Sequence, residues 1–566
     1  MKNKFTIFVF SVILGIYAII ATNSIGKPLV ADEWGNYSAA ESIILTGKPE
    51  LFGEDKGLLL GHPPLYPYIV AFFFKLFGIG SVQARFAGVA FFVLNLILVY
   101  FMSRNLYPKN RLAHLIALLF FGLSPLVVQG SLMIDIDQTL LTFSVTLFLY
   151  YFIKSDEWSM KKRILTVALG FFLVMWSKLS IPPVLLFSMA VYYMSKKEYA
   201  RGTIEILGIL FIGSGLFLLS WWFYCNNLGF MKYFFTPFVY IFCAFFKLQI
   251  KGSLFQKLIA GGITLFRMSL WTSPFLLLLS ICAMGKQSML ILKEKIVPRD
   301  FMLTIFAFAV LVGYLFVGGL SYGFPKTQSV AMPALAVLIA GNLPWSLKDE
   351  RRNLTKLAII LVFVLLFFLV AVGDIIYLVH YLMKEALIYN FRWGFEYLIL
   401  PLLSYAVTPF LVLGIIYLFF YHWRFIHKLL MVLAITTLAA NLSLNALQAK
   451  ADYITTAEYG GRDKNQLIYF LKGVLKQDDI VFSTSEIIYD VKSKKSPPIA
   501  QKTWNDPEEF LRFVREKEPR VIVYGIPLNA IEQFKKTLLN PLVLEFLQGH
   551  YKKIDIGSYT VWVSAG

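Results

Sequence analysis

Asp32 and Glu33, in ADEWGNYSAA, stand just after the first long apolar run, and Asp135 and Asp137, in SLMIDIDQTLLTF, open a later one. Basic side chains hold comparable places: His62 in GHPPLYPY, Arg85 in VQARFAG, Lys178 in MWSKLSIPP and Lys326 in SYGFPKTQSVAMP. An ionisable group near a spanning helix costs up to about 3 kcal/mol at the bilayer centre and less at its edge, so such groups are functional candidates by default. Carboxylates beside cations at a membrane surface suit the transfer of a group from a lipid phosphate. The cations hold the phosphate while a carboxylate takes a proton from the acceptor. Each residue also has a plainer reading. Asp32 and Glu33 would be favourable at a helix N-terminus, Asp135 and Asp137 would serve as hydrated loop aspartates, and a lone Lys or Arg would snorkel to lipid headgroups. The meeting of both signs at one surface favours the chemical reading.

The elements that must position these groups follow from composition. Of 566 residues, 58% are hydrophobic and only 15% charged, too apolar for an ordinary soluble protein. FTIFVFSVILGIYAIIA, LAIILVFVLLFFLVAVG and LLMVLAITTLAANLSL have roughly the 17 to 25 apolar residues that cross a hydrocarbon core about 30 Å thick. With basic loops taken as inside, the chain threads through about thirteen spans. The basic connections MKNK, RNLYPKNR, KSDEWSMKKR, SKKEYARG, KEKIVPR, LKDERR and YHWRFIHK then share one side. Outside lie the loop from Asn23 to about Gln83, a segment around 225–260 and everything after about Lys450. The expected fold class is a polytopic α-helical membrane protein with a small C-terminal extracytoplasmic α/β domain, its N-terminus cytoplasmic and its first helix uncleaved. The net charge of +19 comes from short basic runs between apolar segments, which argues for lipid topology and against a nucleic-acid partner. Cys225, Cys243 and Cys282 have no metal-ligand or disulfide spacing.

Within the membrane domain, 1–449, the outer loop 23–83 should hug the bilayer. Trp34, Tyr37, Ala40 and Ile44 recur at helical spacing, with Gly47 as terminator, and LYPYIVAFFFKLFG follows Pro63 and Pro64, which suit a helix start. In the soluble domain, 450–566, IVFS and VIVYG read as strands and DPEEFLRFVREK as a helix. YKKIDIGSYTVWV reads as two strands joined at Ile556, Gly557 and Ser558.

The ordered set DEWGNYSAA, HPPLYPYIVAFFFKLFG, QARFAG, DQTLLTF, SKLSIPP and PKTQSVAMP, spread over the first 340 residues, resembles the polyprenyl-phosphate-sugar-dependent glycosyltransferases of the GT-C fold. That group contains the protein O-mannosyltransferases and the lipid A aminoarabinose transferase. The resemblance implies about thirteen transmembrane helices and makes Asp32 the group that activates the acceptor, with Glu33 beside it. It fits Asp137 better than Asp135 to the second acidic position. It implies that Lys178 and Lys326 meet the lipid phosphate, with His62 and Arg85 as further contacts, and that Tyr37, Tyr66 and Asp135 belong to the acceptor or sugar pocket. The chain departs from the aminoarabinose enzymes at His62, where they carry lysine, and at Asn36, where they carry arginine before the tyrosine.

The implied activity is hexosyl or pentosyl transfer, by inverting displacement, from a polyprenyl-phosphate sugar to a hydroxyl on a lipid, a protein or an envelope glycan. It would take place at the outer face of the plasma (inner) membrane, among membrane lipids. No cofactor is required, although Asp32 and Asp137 are hard ligands suited to Mg or Mn. A transporter or flippase of a lipid-linked sugar would use the same charges without breaking a bond. It predicts a polar path through the membrane, and few such groups are present. A catalytically dead assembly subunit would keep the fold without needing Asp32.

Overall fold

The computed structural model describes residues 2–29, 33–50, 62–239, 274–317, 326–342, isolated positions between 434 and 445, and stretches of 462–564. The chain forms two compact units: residues 1–22, 60–66 and 87–449, and residues 23–59, 67–86 and 450–566.

Among the described residues three helices are long and apolar enough to cross a membrane: α1 (Lys2–Ser24) over Phe5–Ser24, α4 (Ser81–Leu106) and α10 (Tyr199–Asn227). A fourth span results if α5 (Arg111–Gly122) and α6 (Pro125–Ser131), bent by 57° at their junction, are taken together. The bend falls at Pro125, which has no N–H to continue α5. LAIILVFVLLFFLVAVG and most of LLMVLAITTLAANLSL lie outside the described residues, and with them part of the thirteen-span threading.

In the first unit α7 (Thr142–Lys154), α8 (Met160–Ser177), α9 (Pro182–Lys196) and α10 run back and forth, so α8 and α10 pack together and α7 lies against α8. α10 leaves Leu207, Phe211 and Phe223 exposed, Phe211 at 82%. Rows of large apolar side chains facing outward are stable against lipid rather than water. α11 (Pro274–Met289), α12 (Phe301–Val317) and α13 (Met332–Asn342) follow. α5, buried from Leu112 to Gly122, packs on α13, which is almost wholly buried.

Where α7 ends and α8 begins, and where α9 ends and α10 begins, a network of buried charge closes the bundle. Arg163, 1% exposed, donates to Glu205 at 2.7 Å, to Asp156 at 2.9 Å and to the Tyr193 hydroxyl at 2.9 Å. Tyr193 donates in turn to Glu205, and Arg201 reaches Glu205 at 3.0 Å and Asp156 at 3.3 Å.

In the second unit α2 (Glu33–Thr46) ends at Gly47, whose φ of +78° suits a residue without Cβ. α3 (Leu65–Phe77) starts after the double proline. Ile44, Leu45, Phe72, Leu76 and Phe77 are exposed, as on helices that lie along a bilayer surface.

The C-terminal part holds a four-stranded sheet in the order β1 (Val481–Phe482), β2 (Val521–Gly525), β4 (Tyr559–Ser564), β3 (Tyr551–Ile556). β1 and β2 are parallel and the other pairs antiparallel. Alternation sends Val521 and Val523 to one face, packed with Leu467 and Leu471 of α14 (Arg462–Val474). Ile522 and Trp562 go to the other, packed with Phe510 and Val514 of α15 (Pro507–Lys517) and Val543 and Leu547 of α16 (Pro541–His550). Asp506 and Asn540 cap α15 and α16 through their side chains.

Candidate active site

Between α6 and α7 the chain makes a short turn that carries Asp135 and Asp137. The Asp135 carboxylate accepts the Asp137 backbone N–H at 2.8 Å, the local closure that aspartate favours in turns. The Thr139 hydroxyl donates to the Asp135 carbonyl at 2.5 Å. Residues Asp137–Leu141 then form a π turn, in which Leu141 N–H reaches the Ile136 carbonyl at 2.9 Å and the Thr142 hydroxyl reaches the Asp137 carbonyl at 2.7 Å. Single π turns inside α-helices often accompany functional sites, because the extra residue re-aims neighbouring side chains.

Each aspartate meets a lysine from elsewhere in the chain. Lys178, in extended backbone just past α8, donates to Asp137 Oδ1 at 2.6 Å. Lys326 opens a 3₁₀ segment, Lys326–Ala331, and donates to Asp135 Oδ2 at 3.1 Å. All four side chains are largely buried, at 3% exposure for each aspartate, 13% for Lys178 and 9% for Lys326. The Ser144–Ser177 hydroxyl contact, 2.7 Å, ties α7 to α8 beside Lys178. Burial alone would raise Asp135, but the Lys326 and Lys178 charges and the Asp137 N–H outweigh it and hold the carboxyl below its ordinary value.

His62 joins this charged group electrostatically. Desolvation first, then the Lys178 and Lys326 ammoniums, push it down to about 3 against an opposing pull from Asp135. Held so far below the ordinary imidazole value, a neutral ring at this place could still donate one N–H to a phosphate. Tyr66, one turn further on, is fully buried.

Glu33 and Arg85 meet each other in the second unit. Arg85 donates to both Glu33 oxygens, at 2.8 Å to Oε2 and 3.1 Å to Oε1. The same guanidinium donates to the carbonyls of Ile25, Lys27 and Pro28. Arg85 thus clamps the start of the outer loop and orients the carboxylate next to Asp32. Asp32 itself lies outside the described residues. Tyr37 is buried and stands edge-on to Phe74, ring centroids 5.2 Å apart.

Sequence reasoning missed the glycines that let this site close. A Cβ on Gly88 of α4 would stand 1.9 Å from the Ser131 carbonyl oxygen, and one on Gly130 would stand 1.8 Å from Gln138 Oε1. Gly130, just ahead of the acidic turn, was the available hint.

Two lysines facing two aspartates make a buried, charge-balanced set. Two ammoniums gathered at one end of the bundle are suited to an anionic group such as a phosphate. Among the described residues no group of three or more His, Cys, Asp or Glu side chains is placed to hold a metal, and Asp32, the other carboxylate suited to Mg or Mn, lies outside them.

Residues 61–224 match the family described as dolichyl-phosphate-mannose-protein mannosyltransferase. No curated protein matches the chain in sequence. Among solved structures, ArnT from Cupriavidus metallidurans bound to undecaprenyl phosphate aligns with a TM-score of 0.56 at 14% identity, covering 99% of this chain and 98% of that one. The archaeal oligosaccharyltransferase AglB from Archaeoglobus fulgidus, in complex with an inhibitory peptide and a dolichol-phosphate, aligns with a TM-score of 0.50 at 11% identity, covering 99% of this chain and 74% of that one. At such identities the structural likeness speaks for the fold, and the family match spans 61–224, the stretch in which His62, Arg85, Asp135, Asp137 and Lys178 lie. The chain shares the fold of these membrane glycosyltransferases, and over 61–224 it is similar to the mannosyltransferase family.

Proposed function

We propose that the protein transfers a sugar from a polyprenyl-phosphate donor to an acceptor hydroxyl at the extracytoplasmic face of the plasma membrane. The observation that carries this reading is the pair of buried lysines, Lys178 and Lys326, each set against an aspartate at one end of the helix bundle. The solved relative holding undecaprenyl phosphate supports the donor class. Asp32 takes the proton from the acceptor hydroxyl, whose oxygen attacks the anomeric carbon from the side opposite the phosphate. The bond from that carbon to the phosphate oxygen breaks, polyprenyl phosphate leaves, and configuration inverts. Lys178 and Lys326 hold the phosphate as its charge grows, and His62 adds one neutral donor. Asp135 and Asp137 keep the two ammoniums in place before the donor arrives. Glu33, positioned by Arg85, lies next in sequence to Asp32 and orients the start of the outer loop. Acceptors of this class are lipid, protein or glycan hydroxyls, and the C-terminal sheet domain, placed outside, has a part in choosing among them.

The deciding experiment supplies purified protein with a panel of polyprenyl-phosphate sugars and acceptors, comparing wild type with Asp32→Asn. Loss of turnover with donor binding retained supports Asp32 as the base. Full turnover in Asp32→Asn removes that assignment, and binding without turnover in wild type turns the reading toward a transporter.

A further inference from the structure

Three glutamines sit on the segments that frame the Asp–Lys pairs: Gln129 on α6, Gln138 beside Asp137 in the π turn, and Gln328 in the 3₁₀ segment that Lys326 begins. They are 1%, 6% and 2% exposed. The amide nitrogen of each has no hydrogen-bond partner, and neither does the amide oxygen of Gln138. Turning the amide over cannot repair Gln138, because both of its ends are unmatched. Gln328 is oriented, since its Oε1 accepts from the Thr327 hydroxyl at 2.9 Å, which leaves its NH₂ as the unmatched end. The three segments pack against one another, and Gln138 Oε1 lies over the backbone of Gly130, next to Gln129. Buried amides are ordinarily satisfied, so a cluster of unmatched ones beside buried charge is what a site for a polar ligand looks like before the ligand arrives.

We infer that Gln129, Gln138 and Gln328 form the subsite for the sugar of the donor, a neutral group rich in hydroxyls, beside the lysines that hold its phosphate. The inference rests on the proposed transferase reading and deepens it. An amide offers both a donor and an acceptor, and a hydroxyl is both, so the two match without adding net charge next to the balanced Asp–Lys set. A site built to hydrogen-bond hydroxyls also discriminates strongly against analogues that lack them, since its own buried groups are then left unpaired.

The test uses the full-length protein with Gln138→Met and Gln328→Met, substitutions that keep volume and remove the amide. Three quantities are compared with wild type: thermal stability, binding of bare undecaprenyl phosphate, and kcat/KM for a neutral hexose donor and its deoxy analogues. The subsite predicts equal or higher Tm, unchanged binding of the bare lipid phosphate, and kcat/KM for the hexose donor lowered by about 10- to 100-fold. Discrimination against the deoxy analogue should shrink with it. Unchanged kcat/KM and unchanged discrimination in both variants overturn the subsite, whatever happens to Tm. If wild type turns over no donor, the transferase reading fails, and the subsite is judged by binding alone. Wild type must then hold the sugar-bearing lipid more tightly than the bare one, and Gln138→Met must hold the two alike. Equal binding in wild type overturns it.

Discussion

Two clusters of buried charge among the described residues of the first unit, around Arg163 and around Lys178, are built differently. Arg163 and Lys178 stand at opposite ends of α8, roughly 22 Å apart along its axis at 1.5 Å per residue. Around Arg163 the cations are arginines, whose planar guanidinium forks grip Glu205, Asp156 and Tyr193 from several sides, and no buried side-chain polar atom of this group lacks a partner. Around Lys178 the cations are lysines, point charges on flexible stems, set against Asp137 and Asp135, and the segments that carry the aspartates and Lys326 hold glutamine amides with unmatched groups. A saturated network holds a structure together; a network in which buried amides stay unmatched beside paired charges is ready for a polar group. The difference teaches that burial of charge alone does not mark a catalytic site, whereas burial with unfinished hydrogen bonding does.

That contrast can be broken most sharply at Arg163. Arg163→Met leaves Glu205 and Asp156 without their principal partner, and removing one member of a buried pair costs about 3 to 5 kcal/mol. A large fall in melting temperature in detergent, or loss of folded protein, is expected; an unperturbed melt would show that the network is not structural.

Next in size is the loss of a lysine at the other end. Lys178→Met and Lys326→Met should each lower turnover by about 10²- to 10³-fold, the usual consequence of removing one stabilising donor from a developing anion. Donor binding should weaken as well. If either variant transfers sugar at the wild-type rate, that lysine does not touch the leaving phosphate.

Gly88→Ala probes the scaffold of the site rather than its charges. The new Cβ meets the Ser131 backbone carbonyl, which cannot rotate away, so α4 or the acidic turn must shift at a cost of about 1 to 3 kcal/mol. Both stability and turnover should drop, and Gly15→Ala, where a Cβ meets nothing within 4 Å, serves as the matched control.

The smallest effect concerns protons. His62 is pushed from its ordinary 6.5 down to about 3, so between those values the unfolded chain takes up a proton that the native protein refuses. The stability His62 contributes is complete above about pH 6.5 and drains away as pH falls toward 3. His62→Gln should therefore reduce the difference in melting temperature between pH 7 and pH 5. An unchanged difference would argue that the imidazole is not held neutral. Chelation of divalent cations is expected to leave turnover unchanged, and a loss restored by Mg or Mn would place a metal in the reaction after all.

Much of the fold was legible in the sequence, because the signals involved are local. Apolar runs of sufficient length marked α1, and the double proline and Gly47 marked the edges of α3 and α2. The alternating β-rich runs after Gly460 became β1 to β4, with β3 and β4 paired across the turn at Gly557. The candidate site was legible as a set of residue types at helix ends: the aspartates, lysines and arginine in the order that resembles GT-C enzymes.

The partners were not legible, since pairing across the chain leaves no periodic trace. Asp135 meets Lys326 from 191 residues away and Glu33 meets Arg85 from 52 away, so Arg85 is tied to the start of the outer loop. His62 looks basic as a residue type and is neutral once desolvated among ammoniums. Gln129, Gln138 and Gln328 carry no charge and no motif, and only packing shows that their amides are buried and unmatched. The sequence by itself determined which segments prefer lipid, where helices and strands begin and end, and which side chains are capable of the chemistry. The tertiary structure decided which charges neutralise one another and which polar groups remain to be satisfied, because both depend on distance and solvent exclusion, and neither is a property of residues taken one at a time.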